Sequence, residues 1–288
     1  MNVAVCLCTY RRPLGLRRQL RAIAAARKPP RTEVVVVDNA CEEGTAQIVM
    51  DELPQARLIY EPRRGISFAR NTSFHAALLL GAALVATIDD DDEVTEDWLL
   101  RLLDHHRLSG ADLILGTMID EHGHHSKHVR GCGNAMFSGR VLRRFGPSWF
   151  DPKVGLTGGE DAMIFETVIE VGGSVARCVD SKVRRHYAAH RATLYGRFLH
   201  GIRFGQTTLA VPADHMKFLL SDNYPDRESL GRRLRKFLSS IVKILREPRS
   251  RRRHELCAME LGRVVGILLL RLNRRIEYYV SQTAERSQ

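Results

Sequence analysis

The chain has 288 residues, of which 44% are hydrophobic and 27% are charged, and its formal net charge is +11. This length allows a sizeable buried core, as one large domain or as one domain with an appendage, and the six scattered cysteines match no zinc spacing and predict reduced thiols of a cytosolic protein. We expect neither a signal peptide nor a membrane span, because a strand pattern begins almost at once and the apolar run at 264–270 is too short to cross a bilayer.

The first 90 residues repeat a strand followed by a helix. Apolar runs predict buried strands at 3–8, 34–37 and 84–88, and the run at 34–37 is entirely β-branched. A further strand is predicted at 57–60, and helical segments lie between the strands. Three such repeats indicate an α/β fold with a mostly parallel sheet flanked by helices. No Gly-x-Gly-x-x-Gly follows the first strand and no Gly-Lys-Ser/Thr loop occurs, so neither a dinucleotide fingerprint nor a P-loop is supported.

Four consecutive carboxylates, Asp89 to Asp92, follow the strand at 84–88. Adjacent like charges at the end of a core strand repel one another, so we expect a cation there, and oxygen ligands suit Mg²⁺ or Mn²⁺. Because strand side chains alternate, Asp89 and Asp91 would point one way and Asp90 and Asp92 the other, unless the chain turns here, so one of the two pairs can face a metal together. The alternative is a solvated acidic turn before a helix with Thr95 as its N-cap.

A second acidic stretch is Gly158-Gly159-Glu160-Asp161. Two glycines allow the backbone to come close to a ligand, and the two carboxylates then open a helix. The alternative is an ordinary helix start with acidic residues in its first turn.

Four histidines cluster in a polar segment that also contains glycine and lysine: His122, His124, His125 and His128. This setting favours surface histidines over a metal site.

Positive charge is concentrated near the C-terminus. Between Arg227 and Arg275 there are 15 Lys and Arg residues and four Glu, so this segment carries a net charge equal to that of the whole chain, +11. Apolar residues recur at helical spacing from Leu230 to Leu245 with basic residues beside them, which predicts a helix on an anionic membrane surface or, alternatively, one packed on its own domain. Aromatic residues are not interleaved with the arginines, so we expect no nucleic-acid partner.

Five ordered pieces of the chain carry a family resemblance. They are Cys8-Thr9-Tyr10-Arg11-Arg12-Pro13, Val37-Asp38-Asn39-Ala40, Ile66-Ser67-Phe68-Ala69-Arg70-Asn71, Ile88 to Glu93 with Asp97-Trp98-Leu99, and Gly158 to Asp161. In this order they resemble family 2 glycosyltransferases of the GT-A fold, most closely the glucosyltransferases of succinoglycan-type exopolysaccharide assembly. The resemblance covers about residues 3–209 and implies a Rossmann-like GT-A domain at 1–210 followed by a basic helical region at 211–288.

The resemblance also implies roles for individual residues. Those implied near the nucleotide are Thr9, Arg11, Asp38 (bonded to the base), Arg70, Asp89 (bonded to the ribose) and Asp90. Asp91 would bind the metal, His186 would contact the metal or a phosphate, and Asp161 would be the catalytic base.

By the same resemblance, the chain is an inverting glycosyltransferase that uses Mn²⁺ or Mg²⁺. It would move a hexose from a nucleotide sugar, a UDP-sugar being expected, to a growing polysaccharide or a lipid-linked oligosaccharide. Its expected place is the cytoplasm, at the inner face of the cell membrane. Two alternatives remain, a metal-dependent sugar nucleotidyltransferase and a basic nucleic-acid-binding protein.

Overall fold

A computed structural model describes residues 2–120, 123, 131–156, 158–186, 193–210 and 230–272 of the chain. The four clustered histidines lie outside these residues. By their internal contacts the residues form two compact units, one of 1–155 with 160–186 and one of 156–159 with 187–288.

The N-terminal half of the first unit alternates strands and helices as predicted. Its elements, in chain order, are β1 (Val3–Thr9), α1 (Pro13–Ala25), β2 (Thr32–Asp38), α2 (Gly44–Glu52), β3 (Arg57–Tyr60), α3 (Ile66–Leu79) and β4 (Leu84–Asp89). The continuous apolar runs of β1, β2 and β4 are buried on both faces, which is what helices on both sides of a sheet require.

The second half of this unit completes the sheet. Its elements are β5 (Asp92–Val94), α4 (Trp98–Ser109), β6 (Leu113–Ile119), β7 (Asn134–Ser138), α5 (Gly139–Phe145), a 3₁₀ turn (Pro152–Val154), α6 (Glu160–Glu170) and β8 (Val175–Arg185). The N-cap predicted at Thr95 is wrong. The helix α4 begins at Trp98, and the Thr95 hydroxyl donates to the Lys182 carbonyl at 2.9 Å instead, because β5 continues the sheet immediately before the helix.

The eight strands form one mixed sheet in the order β3-β2-β1-β4-β7-β6-β8-β5. The pairs among β3, β2, β1 and β4 are all parallel, while β7 runs antiparallel to both β4 and β6. Thr9 is in register with Asp38, and Cys8 is in register with Asp89. The carboxyl ends of three neighbouring strands therefore meet at one edge, where open α/β sheets place their ligands.

Each face of the sheet packs its own apolar layer. On one face Leu7, Leu20, Ile114 and Trp98 belong to a continuous buried cluster with α1, α2 and α4. On the other face Phe74 lies with its ring 5.3 Å from Phe137, and the rings of Phe150 and Trp149 lie 5.2 and 5.7 Å from Phe74. These two layers fix the strands whose ends carry the polar residues.

The second unit contains α7 (Leu194–Ala210), α8 (Leu230–Arg246) and α9 (Arg251–Arg271). The helices α7 and α9 approach backbone to backbone, because a Cβ on Gly201 would collide with the Met259 carbonyl oxygen and one on Gly262 with that of Phe198. By its contacts α7 lies in the second unit, and the division into domains at residue 210 stays a prediction. Within the described part of the chain, no helix combines the length and apolarity that crossing a bilayer requires.

A buried polar network ties α4 to three strands of the first unit. The fully buried Asn134 accepts from the Trp98 indole at 3.0 Å and donates to the carbonyls of Thr117 at 3.1 Å and Ser181 at 3.0 Å. The Ser181 hydroxyl donates in turn to the Trp98 carbonyl at 3.1 Å. One side chain thus satisfies three groups that water does not reach.

We expect Asn134→Ala to lower the free energy of unfolding by about 2–4 kcal/mol, because the Trp98 indole and two strand carbonyls lose their partner inside the core. Urea unfolding of the variant and the wild type measures this difference. The matched control is Gln47→Ala on the exposed side of α2, where the lost bond to Asp51 is exposed and we expect a change within about 0.5 kcal/mol. Equal stability of both variants would contradict a structural role for the network.

Candidate active site

The loop after β1 holds one carboxylate of the acidic run. Asp90 accepts from the Thr9 hydroxyl at 2.9 Å and the Tyr10 backbone N–H at 3.4 Å on one oxygen, and from the Arg12 guanidinium at 2.8 Å on the other. Burial raises the pKa of Asp90, and the Arg12 charge opposes this shift. Thr9 and Asp90 therefore meet at the sheet edge, and their place beside a nucleotide stays a prediction. Arg12 is a partner of Asp90 that sequence reasoning missed.

The other three carboxylates of the run converge. The chain turns at residues 90 and 91 between β4 and β5, so strict strand alternation does not hold there. One oxygen each of Asp89, Asp91 and Asp92 lies within 4.8 Å of the others. The structure thus keeps the predicted pairing of Asp89 with Asp91 and adds Asp92, which alternation alone would place with Asp90.

The electrostatics of this carboxylate cluster favour a bound cation. Asp92 is fully buried and accepts from the Arg185 guanidinium at 2.9 and 3.2 Å. Burial nevertheless raises the pKa of Asp92 to about 8, because the attraction of Arg185 does not offset the lost hydration and the neighbouring carboxylates. Asp91 also pairs with Arg12 at 3.3 Å, and Asp89 pairs with Arg70 at 3.0 Å. The three oxygen donors are of the type that a hard divalent ion such as Mg²⁺ or Mn²⁺ prefers.

A buried arginine joins this cluster to the second acidic stretch. Arg70 on α3 is 6% exposed, and its guanidinium donates to Asp89 at 3.0 Å, to Glu160 at 2.9 Å and to Asp161. Burial by itself would lower the pKa of Arg70, but the nearby carboxylates outweigh it and raise the pKa. The two acidic stretches, predicted separately from sequence, therefore face each other across one guanidinium, with Asp161 25% and Asp89 28% exposed at their side chains.

The segment Gly131-Cys132-Gly133 lies directly against these carboxylates. A Cβ on Gly133 would lie 2.7 Å from an Asp92 oxygen and 2.8 Å from an Asp89 oxygen, and one on Gly131 would lie 2.8 Å from Asp161. Burial and the Asp161 charge raise the pKa of the Cys132 thiol well above its usual value, so the thiol is neutral. Sequence reasoning missed this segment, although two glycines around one residue before a strand could have indicated a close approach.

Asp38 and Arg11 are engaged within the protein at the end of β2. The Asp38 carboxylate is fully buried and accepts from the backbone N–H groups of Ala40 at 2.8 Å, Cys41 at 3.1 Å and Glu42 at 2.9 Å. Arg11 pairs with Glu42 at 3.0 Å, on the exposed side of this loop. Asp38 thus shapes the loop after β2, and its bond to a nucleotide base stays a prediction.

His186 follows the last residue of β8 and lies next to the acidic turn. Its backbone N–H donates to the Asp91 carbonyl at 3.0 Å, while its ring Nε2 lies 2.8 Å from Glu93. Among the described residues, the group whose ligand atoms could hold a metal comprises the three aspartates without His186. The structure brings His186 close to Asp91 through the backbone, and its contact with a metal or a phosphate stays a prediction.

Comparison with known proteins connects this geometry to a family. The model of the family described as Glycosyl transferase family 2 matches residues 4–169. A curated relative, the succinoglycan biosynthesis protein ExoM of Rhizobium meliloti (strain 1021), is 29% identical over 232 residues, which cover 72% of this chain and 74% of ExoM.

Solved structures share the fold at low sequence identity. The mannosyltransferase PcManGT from Pyrobaculum calidifontis, in complex with GDP-Man and Mn²⁺, matches with a TM-score of 0.63 and 18% identity over 93% of this chain and 87% of its own. S. aureus TarS 1-349, in complex with UDP-GlcNAc, matches with a TM-score of 0.54 and 14% identity over 95% and 93% of the two chains. The match spans 55% of a longer S. aureus TarS chain. The chain therefore has the GT-A fold that its sequence predicts.

We expect Asp91→Asn and Asp89→Asn each to weaken Mn²⁺ binding about tenfold or more, because each removes one negative oxygen ligand from the carboxylate cluster. Electron paramagnetic resonance of free Mn²⁺ in a titration of the protein measures the dissociation constant. Asp104→Asn is the control, since this carboxylate lies on α4 with its side chain 58% exposed. Unchanged binding in both cluster variants would show that the aspartates hold no ion.

Proposed function

Because the chain belongs to glycosyl transferase family 2, we propose that it is an inverting hexosyltransferase that uses a UDP-sugar. Its acceptor in this proposal is a growing polysaccharide or a lipid-linked oligosaccharide. The similarity to a succinoglycan biosynthesis protein supports the acceptor class. The structural neighbours in complex with UDP and with UDP-GlcNAc support the donor class, while the neighbour in complex with GDP-Man makes GDP the competing nucleotide.

One observation carries the proposal: the guanidinium of Arg70 separates the carboxylate cluster from Asp161. Glycosyl transfer needs positive charge beside the leaving diphosphate and a base beside the attacking hydroxyl. Asp89, in the carboxylate cluster, and Asp161 lie on two sides of the Arg70 side chain. A sugar bound near Arg70 would therefore have its leaving diphosphate beside the cluster and the attacking hydroxyl beside Asp161.

The donor end is formed by the carboxyl ends of β1, β2 and β4. In the proposal Thr9, Arg11 and Asp38 line the nucleotide site, Asp89 bonds to the ribose, and Asp90 keeps the loop after β1 in place for it. Asp91, with Asp89, Asp92 and His186 around it, would hold Mn²⁺ or Mg²⁺, which neutralises charge on the departing diphosphate. Arg70 helps to hold the nucleotide site and fixes Asp89 relative to Asp161.

The acceptor end is formed by the start of α6. In the proposal the Asp161 carboxylate takes the proton of the acceptor hydroxyl as the hydroxyl oxygen attacks the anomeric carbon from the side opposite the diphosphate, which inverts the configuration. The nucleotide leaves without a protonating side chain, so one carboxylate suffices, in contrast to the pair that glycoside hydrolases use. The neutral Cys132 thiol and Gly131 line the space beside this carboxylate.

The proposal places the enzyme in the cytoplasm at the inner face of the cell membrane, where a lipid-linked acceptor would be available. The family assignment favours glycosyl transfer over both alternatives raised by the sequence, nucleotidyl transfer and nucleic-acid binding. The products distinguish the two enzyme reactions, since a nucleotidyltransferase releases pyrophosphate and a glycosyltransferase releases a nucleoside diphosphate.

We expect UDP, in a panel with GDP, TDP and CMP, to raise the melting temperature, and to do so only with Mn²⁺ present. A nucleotide at a hundred times its dissociation constant stabilises the folded state by about 2.7 kcal/mol, which differential scanning fluorimetry detects easily. The Asp91→Ala variant should lose the Mn²⁺-dependent shift. A shift with GDP alone would replace the proposed donor class, and no shift with any nucleotide would contradict the proposed function.

We expect Asp161→Asn to lower the rate of UDP release from UDP-glucose with a lipid-linked oligosaccharide acceptor by about 10²–10⁴-fold, because the general base is lost. The Mn²⁺-dependent affinity for UDP should stay within about threefold of wild type, since in this proposal Asp161 contacts no part of the nucleotide. Asp180→Asn, at an exposed position on β8, is the control that should leave both quantities unchanged. Equal losses of UDP affinity and of transfer would count against the base assignment.

A further inference from the structure

Helix α8 in the second unit packs one face within the unit and leaves a second, apolar side exposed. Arg233 is 2% exposed and pairs with Glu260 of α9 at 3.4 Å, and Ser240 is 9% exposed. Four large aliphatic side chains of the same helix are exposed by 40, 58, 47 and 74%: Leu234, Leu238, Val242 and Leu245. Four other large apolar residues of α8 are half-buried: Leu230, Phe237, Ile241 and Ile244. The packing of α8 within the unit therefore leaves four of its eight large apolar side chains exposed.

The four exposed side chains form one continuous stripe, which we call the outward stripe. Their spacing of four, four and three residues places them on one side of a helix with 3.6 residues per turn. Several large apolar side chains exposed on one line are typical of a surface that binds another apolar surface or a membrane.

Basic residues accompany this stripe. The sequence of α8 contains six Lys and Arg residues and no Asp or Glu. At about 100° per residue, Arg235 and Arg246 border the outward stripe on the side of Val242. Lys236 and Lys243 lie further round the helix, and all four of these basic residues are exposed.

The chemistry of this surface selects its partner. An apolar stripe beside a purely basic one matches a phospholipid bilayer with anionic headgroups, because the aliphatic side chains enter the acyl boundary while the guanidinium groups stay at the phosphates. Nucleic acid fits less well, since the stripe offers leucines and a valine in place of aromatic rings that stack on bases. The length of α8, 17 residues, suits a helix that lies in the surface.

We propose that α8 is a membrane-docking helix whose outward stripe enters the surface of an anionic bilayer, with Arg235 and Arg246 at the headgroups. This contact rests on the proposed function in one respect: it would attach the enzyme to the membrane at which that function places it. It involves the second unit alone and needs neither donor nor acceptor.

The test is sedimentation of the full-length protein with vesicles of phosphatidylcholine containing 30% phosphatidylglycerol, and with vesicles of phosphatidylcholine alone. We expect the wild type to bind the anionic vesicles. The partition coefficient should fall at least tenfold for Leu238→Gln/Leu245→Gln and about tenfold for Arg235→Gln/Arg246→Gln. The matched control is Leu79→Gln/Leu108→Gln, which changes two leucines of the first unit that are 75 and 88% exposed and should bind as wild type.

Several outcomes would overturn the proposal. They are equal binding of wild type and both α8 variants, no preference for anionic vesicles, and tighter binding to duplex DNA than to vesicles at the same salt concentration. A wild-type dimer in size-exclusion chromatography that becomes monomeric in Leu238→Gln/Leu245→Gln would assign the stripe to a second copy of the chain instead. The vesicle experiments contain no nucleotide sugar, so a negative result in them does not contradict the proposed reaction. Likewise, absence of a UDP-dependent shift in melting temperature would not contradict the proposed membrane contact of α8.

Discussion

The ion pairs of Arg70 are the contact on which the candidate site depends. A buried guanidinium is costly unless its charge is matched, and this one is matched by carboxylates from β4 and from the start of α6. The helix α3 and the strand β4 are consecutive, whereas α6 lies far along the chain, since Arg70 precedes Asp161 by 91 residues. A single side chain therefore fixes the distance between the region proposed for the leaving group and the region proposed for the base. Replacing it would leave Glu160, which is 2% exposed, beside other carboxylates without this counter-charge.

The acidic run is divided by a turn into one carboxylate that shapes a loop and three that can share a cation. Asp90 is held by the loop after β1, whereas Asp89, Asp91 and Asp92 converge beside Gly133, where any side chain would crowd them. Burial raises the pKa of Asp92, and the attraction of Arg185 offsets only part of this shift. The protein thus gathers three carboxylates at the place where the proposed reaction would use a divalent ion.

The second unit obeys a different packing rule from the sheet. The helices α7 and α9 meet through glycines, so their backbones approach closely. Helix α8 buries Arg233 against Glu260 on one face and exposes Leu234, Leu238, Val242 and Leu245 on another. The exposed apolar side is the feature of α8 on which the proposed membrane contact rests.

The sequence by itself determined the class of fold, the order of the first strands and helices, and the two acidic stretches, because these depend on local hydrophobic periodicity and on the identity of consecutive residues. It also placed basic amphipathic character near the C-terminus. Tertiary structure decided which residues meet. The turn at residues 90 and 91 added Asp92 to the cluster, β5 displaced the predicted cap at Thr95, and Arg70 joined Asp89 to Asp161. Periodicity reports which side of an element is apolar, but the partner of a buried charge and the direction in which an amphipathic helix faces are set by long-range packing, which no local pattern encodes.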